Sequence, residues 1–144
     1  MKIRVLLVDD NINMVNELKQ YFSSSEVVEV VAEAYDGIEA YEKISSNNYD
    51  LVVMDVLLPK KDGLSVIEQA KKDGCKSKFI VISGYNSLDV VKRASDCGVN
   101  YYMLKPFVYE DLENHIVKVM EFVTDSLQVK DTDLEKTITS LLHS

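Results

Sequence analysis

Five side chains of this 144-residue sequence have the types and positions to do chemistry together: Asp9, Asp10, Asp55, Ser83 and Lys105. Each stands at the end of a short run rich in β-branched or aromatic residues. Asp9 and Asp10 follow IRVLLV, Asp55 follows DLVVM, Ser83 closes KFIVIS, and Lys105 closes NYYMLK ahead of Pro106. In an open parallel sheet, ligands bind beyond the carboxyl ends of the strands, near the point where strand order reverses. With strand order 2-1-3-4-5, the first and third strands are neighbours about 4.8 Å apart, so three carboxylates crowd one crevice. Two unit charges ~5 Å apart at an effective dielectric of ~20 repel by roughly 3 kcal/mol. Lys105 can reach in on its four-carbon stem, but one ammonium does not balance three carboxylates. A divalent cation is the natural complement. An all-oxygen set with few protein ligands suits magnesium, which keeps several waters and leaves room for phosphate oxygens. A lone Asp after a strand is usually a helix cap; convergence on four strand ends is what carries the reading.

The elements that must position these groups are legible as five runs at 3–8, 27–34, 50–54, 78–83 and 100–105. Three are nearly continuous apolar runs, as expected of strands covered on both faces. Between them lie stretches with helical spacing: Ile12, Val15, Leu18 and Phe22; Ile38, Tyr41 and Ile44; Leu64, Ile67 and Ala70; Val90, Val91, Ala94 and Cys97. A fifth follows the last strand, with Leu112, Ile116, Val119, Met120 and Val123 on one stripe. Asp36 followed by Glu39 suits a capping box, and Gly74 and Gly98 stand where helices should end. The order βαβαβαβαβα predicts a flavodoxin-like (βα)5 three-layer α/β sandwich around a parallel five-stranded sheet. The second run ends without a chemical group, as an edge strand away from the crevice would.

Composition sets the boundaries. With 24 acidic against 16 basic side chains the formal net charge is −8, and 47% of the residues are apolar. That describes one ordinary globular domain with a short appendage. The acidic balance makes this segment a poor polyanion binder. Acidic charge follows the six-residue opening run and no long apolar stretch exists, so neither a signal peptide nor a membrane span fits, and a cytoplasmic protein is expected. Cys75 and Cys97 lack metal-ligand spacing and read as buried small apolar residues.

The sequence resembles a response-regulator receiver domain: VDDN at 8–11, VMDVLLPKKDG at 53–63, VISG at 81–84 and YYMLKPF at 101–107 match that family's four motif regions across residues 2–123. The resemblance implies that Asp55 is the phosphoacceptor and that Asp10, Asp55 and the Leu57 backbone carbonyl ligate Mg2+, with Asp9 acting through water. It implies Ser83 as the switch hydroxyl, Tyr102 as the switch aromatic, Lys105 as the phosphate-pairing lysine, and a cis Lys105–Pro106 bond. Such a protein accepts a phosphoryl group from a phosphohistidine on a sensor kinase or phosphotransferase and is no turnover enzyme on an external substrate. The carboxylate needs no general base, since it is deprotonated near pH 7, and the chain has no Gly-rich phosphate loop for ATP. His115 and His143 read as structural or solvated. Phosphorylation would add charge at the end of the third strand, draw Ser83 inward and open a space for Tyr102, with Tyr101 pointing the opposite way. The face so altered, helix 4, strand 5 and helix 5, is expected to form a homodimer or meet an effector. Gly84 stands where alanine is frequent in the family, lending that loop backbone freedom. Val56, Leu57 and Met103 are read as an apolar screen against the attacking water, and Lys60 and Lys61 as a solvated loop.

Residues 1–123 form the receiver in this reading, 124–133 a polar linker, and 134–144, with Leu134, Ile138, Leu141 and Leu142 on one stripe, the start of a second domain. ITSLLHS at 138–144 resembles the opening of the DNA-binding domain in the stage-zero sporulation master regulators, so DNA would be met only through that further domain. The alternative is a stand-alone receiver acting by protein contact. A phosphatase would need a second Asp two residues after its nucleophile, where Leu57 and Asn11 stand. A flavodoxin-like nucleotide binder would need a phosphate loop where carboxylates repel the ligand.

Overall fold

The computed structural model describes residues 2–84 and 87–128, with side chains through residue 121. Strands and helices alternate: β1 (Ile3–Val8), α1 (Ile12–Phe22), β2 (Val28–Ala34), α2 (Gly37–Ser46), β3 (Leu51–Asp55), α3 (Gly63–Lys72), β4 (Lys78–Ser83), α4 (Leu88–Asp96), β5 (Tyr101–Leu104) and α5 (Tyr109–Gln128). The sheet order is β2-β1-β3-β4-β5 and every pairing is parallel, the architecture read from the sequence.

Successive strand residues feed two separate cores. Val5, Leu7, Leu51, Val53, Ile80 and Ile82 face α1 and α5, where they meet Val15, Leu18, Phe22, Leu112 and Ile116. Leu6, Val8, Val52, Met54, Phe79 and Val81 face the other layer, built from α2, α3 and α4. Both faces of β1, β3 and β4 are thus covered, which is why their sequences run apolar without alternation. Each fully buried Leu, Ile or Phe contributes roughly 1.5–3 kcal/mol, so the sheet is a stiff platform and the loops at its carboxyl end inherit that stiffness.

Side-chain caps start α1, α2 and α3. Asn11 Oδ1 accepts from the Met14 amide at 3.1 Å, Asp36 Oδ1 from Glu39 at 2.8 Å and Asp62 Oδ1 from Ser65 at 3.0 Å, each a cap of typically ~1 kcal/mol. Gly74 and Gly98 close α3 and α4, with Cys75 N bonded to Ala70 O and Val99 N to Ala94 O.

Several details differ from the sequence reading. Ile12 and Ile38 are 55% and 48% exposed: each sits in the first turn of its helix, at the rim beyond the sheet, so the apolar stripe begins one turn later. Helix α5 continues through Gln128, so 124–128, the start of the stretch read as a polar linker, are helical. Cys75 and Cys97 are half-buried, packed against the α2–α4 core. The Cys97 thiol donates to Glu68 Oε1 at 3.3 Å, and burial, reinforced by Glu68, pushes it up to about 11. The remainder of the 124–133 reading, the 134–144 stripe and His143 lie outside the described residues. Among the described residues no helix is long and apolar enough to cross a membrane.

Candidate functional site

At three of the four site-bearing strands, β1, β3 and β5, backbone hydrogen bonding to the neighbouring strand extends one residue past the strand end. The Asp9 amide bonds Ala34 O at 3.1 Å, the Val56 amide bonds Ile82 O at 3.0 Å and the Lys105 amide bonds Ser83 O at 2.8 Å. Asp9 and Asp55 are therefore held by backbone before any side-chain contact forms. Asp55 is the last residue of β3, whose five residues are all buried.

Lys105 Nζ lies 2.8 Å from Asp9 Oδ2 and 3.0 Å from Asp55 Oδ2. One ammonium thus bridges two carboxylates whose side chains are 4% and 7% exposed. Asp55 Oδ1 accepts from the Leu57 amide at 3.2 Å, and Asp9 Oδ1 from the Asn11 amide at 2.9 Å. Asp10 is exposed, and oxygens of Asp9, Asp10 and Asp55 lie within 4.8 Å of one another. Burial, with a contribution from the Asp9 charge, raises the Asp55 carboxyl above its ordinary value despite the pull of Lys105. For Lys105, burial works downward but the hydrogen bonds to Asp9 and Asp55 win, and its ammonium is held above its usual range. Three carboxylates against one ammonium is a donor set that suits a hard divalent cation, and the small exposed share of Asp55 is where a ligand can reach it.

Ser83 is fully buried at the end of β4. Tyr102 is half-buried against the α4 side, while Tyr101 points to the opposite face, its ring stacked on His115 of α5 at 3.8 Å between centroids. The Lys105–Pro106 bond is cis. Leu57 is 53% exposed on the loop after β3. The apolar screen is corrected: Val56 and Met103 are 6% and 7% exposed. Val56, next to Asp55, turns to the opposite face and packs in the α2–α4 core, while Met103, two residues before Lys105 and on its face, lies deeper along the strand in the α1–α5 core. Of the three, Leu57 alone is exposed there.

The loop 56–62 departs furthest from the sequence reading. Lys60 and Lys61 are not simply solvated: Lys60 Nζ pairs with Asp36 Oδ2 at 3.3 Å and Lys61 Nζ stands 5.0 Å from the Tyr41 ring centroid. Gly63 N bonds Val56 O at 2.8 Å and closes the loop. Arg93 of α4 reaches Asp62, Ser65 and Glu68, tying α4 to the start of α3. Apart from Gly63 and Val56, which close one loop, these partners lie far apart in sequence, and residue spacing carried no signal for them.

Comparison with known proteins agrees with this geometry. A CheY-like response regulator receiver domain from Methanospirillum hungatei is 27% identical, with a TM-score of 0.78 over 87% of this chain and 99% of that one. A response regulator receiver domain from Francisella is 26% identical, with a TM-score of 0.77 over 85% and 99%. CheY of Borrelia burgdorferi, solved in complex with CheX, BeF3 and Mg2+, is 28% identical, with a TM-score of 0.75 over 82% and 89%. The family model for the response regulator receiver domain matches residues 5–117, which span the acidic pair, Asp55, Ser83 and Lys105. With those groups brought to one rim of the sheet, the chain belongs to the response regulator receiver domain family, the receiver of a two-component system.

Proposed function

We propose that this receiver accepts a phosphoryl group on Asp55 from a phosphohistidine of a sensor kinase or phosphotransferase. The observation that carries the reading is the Lys105 ammonium bridging Asp9 and Asp55 at 2.8 and 3.0 Å, with the Asp10 carboxylate in the same cluster. Asp10, Asp55 and the Leu57 carbonyl would hold Mg2+ directly and Asp9 through water; the bound ion supplies positive charge against the phosphoryl oxygens. An Asp55 oxygen attacks phosphorus, a P–O bond forms, the P–N bond of the donor breaks, and its electron pair returns to the donor imidazole. Lys105 exchanges part of its hold on Asp55 for the incoming oxygens, and Ser83 donates its hydroxyl to them. The transfer is stoichiometric, and slow loss of the phosphoryl group to water resets the site.

Exposed apolar side chains on the α4–β5–α5 face, Leu88, Val91, Tyr101, Leu104 and Val108, support that face as the homodimer or effector contact that phosphorylation controls. Incubation with acetyl phosphate and Mg2+ is expected to add one phosphoryl group by intact mass and to increase self-association on sizing; EDTA abolishes both. A protein that gains no mass with Mg2+ present refutes the reading. The finer reading, control of a DNA-binding effector in sporulation, is supported by the resemblance of residues 138–144. Coding sequence after Ser144 that specifies a basic helical domain supports it, and an immediate stop codon overturns it.

A further inference from the structure

The loop after β3 is held at both ends by the site but at its apex by a helix that contributes nothing to the acidic cluster. Its base is fixed by Val56 N on Ile82 O at 3.0 Å and by Leu57 N on Asp55 Oδ1 at 3.2 Å. At the apex, Lys61 N bonds Pro59 O at 2.8 Å across Lys60, whose φ is +70°. That is the strained form of γ-turn, and Lys60 is the one non-glycine residue at positive φ among the described residues. A lysine does not choose this conformation by itself; surroundings must impose it.

Those surroundings are the N-terminus of α2. Gly37 N donates to Pro59 O at 3.1 Å. A Cβ on residue 37 would lie 1.8 Å from Lys61 O, so the loop can approach only because that residue is glycine. Asp36 uses one carboxylate oxygen to cap α2 and the other to hold Lys60 Nζ at 3.3 Å, and the Tyr41 ring takes Lys61 Nζ at 5.0 Å. An exposed ion pair contributes little alone; here three contacts act on three consecutive residues, Pro59, Lys60 and Lys61.

We propose that Asp36, Gly37 and Tyr41 form a clamp on this loop, and that Asp36 and Lys60 are positioning residues for phosphoryl uptake, holding Leu57 in register beside Asp55. The proposal rests on Asp55 being the phosphoacceptor. Strain at a functional site persists where geometry matters to the chemistry, and small misplacements of a positioning segment lower rates well beyond their structural cost.

Lys60→Gly removes the ion pair and the strain together, Asp36→Asn keeps a capping oxygen but drops the charge, and Lys60→Arg restores the pair. With acetyl phosphate and subsaturating Mg2+, Lys60→Gly is expected to slow uptake about fivefold and Asp36→Asn about twofold, with Lys60→Arg near wild type. The thermal midpoint of Lys60→Gly should not fall, while its Leu57 and Lys61 amides exchange faster. A purely structural loop would leave uptake and exchange unmoved. Wild-type rates in both Lys60→Gly and Asp36→Asn, or Lys60→Arg as slow as Lys60→Gly, overturn the clamp. Should the wild-type protein itself take up no phosphoryl group, the acceptor reading falls, and unchanged amide exchange in Lys60→Gly then sinks the clamp separately.

Discussion

Asp55→Asn is expected to lower phosphoryl uptake from acetyl phosphate by at least about 10³-fold while leaving the protein folded. The amide has the shape of the carboxylate, so its oxygen can still accept from the Leu57 amide, now at 3.2 Å. Its neutral oxygen is a poor nucleophile, and its NH2 group would present a donor to the Lys105 ammonium, now 3.0 Å from Oδ2. Two stability effects oppose each other. Losing the Lys105 pair costs something, but Lys105 keeps Asp9 at 2.8 Å. Against that, burial and the Asp9 charge together hold the Asp55 carboxyl above its ordinary value in spite of Lys105, so the environment as a whole disfavours the charge that Asn removes. Relief of that burden should decide the balance, and a thermal midpoint at or above wild type is expected. A phosphate adduct of undiminished yield on the folded variant would show that another residue is the acceptor. A variant that loses uptake only because it unfolds would show instead that the carboxylate is structural.

The contrast between what was and was not legible beforehand follows from where each contact lies along the chain. Asp9, Asp55, Ser83 and Lys105 could be grouped in advance because each directly follows a contiguous apolar run, and strict alternation of strands and helices leaves few topologies in which those run ends would not meet. The opposite orientations of Tyr101 and Tyr102 followed from the two-residue period of a strand. The same period turns Val56, next to Asp55, away from the crevice and into a core. Met103 shares a face with Lys105 but sits one step deeper along the strand, covered in the other core, and depth along a strand is not something alternation reveals. Ile12 and Ile38 were misplaced because an apolar stripe gives a helix face but not where the sheet beneath it ends. The Arg93 contacts and the grip of α2 on the loop join segments distant in sequence through polar atoms, and no periodicity encodes them. The Arg93 contacts depend on the reach of a long side chain across two helices, and the grip of α2 on how closely two backbones can approach, which the missing Cβ of Gly37 decides.

Gly63→Ala provides the sharpest test of that dependence, because two known effects of opposite sign meet at one atom. Residue 63 opens α3 immediately after its Asp62 cap, and in a helix alanine is favoured over glycine by roughly 0.8–1 kcal/mol. Judged on the helix alone, the substitution should stabilise. A Cβ there would, however, lie 2.2 Å from Asp55 O and 2.9 Å from Met54 Cγ. The Met54 thioether can yield, but the Asp55 carbonyl belongs to a central strand and cannot. Overpacking of this kind costs about 1–3 kcal/mol or more. Because part of the approach also carries the Gly63 N to Val56 O bond of 2.8 Å, the upper part of that range is expected, leaving a net loss of about 1–2 kcal/mol. For a domain of this size the thermal midpoint should fall by roughly 3–10 °C. Uptake by the fraction that remains folded should drop about tenfold, since whatever moves to admit the methyl group is the loop that orients the acceptor. Gly84→Ala is the control: nothing lies within 4 Å of a Cβ there, so the same change in open space should leave the midpoint unaltered. If Gly63→Ala instead raises the midpoint, the contact between α3 and the acceptor strand is soft, helix propensity has won, and the stiff coupling of that loop to Asp55 is wrong.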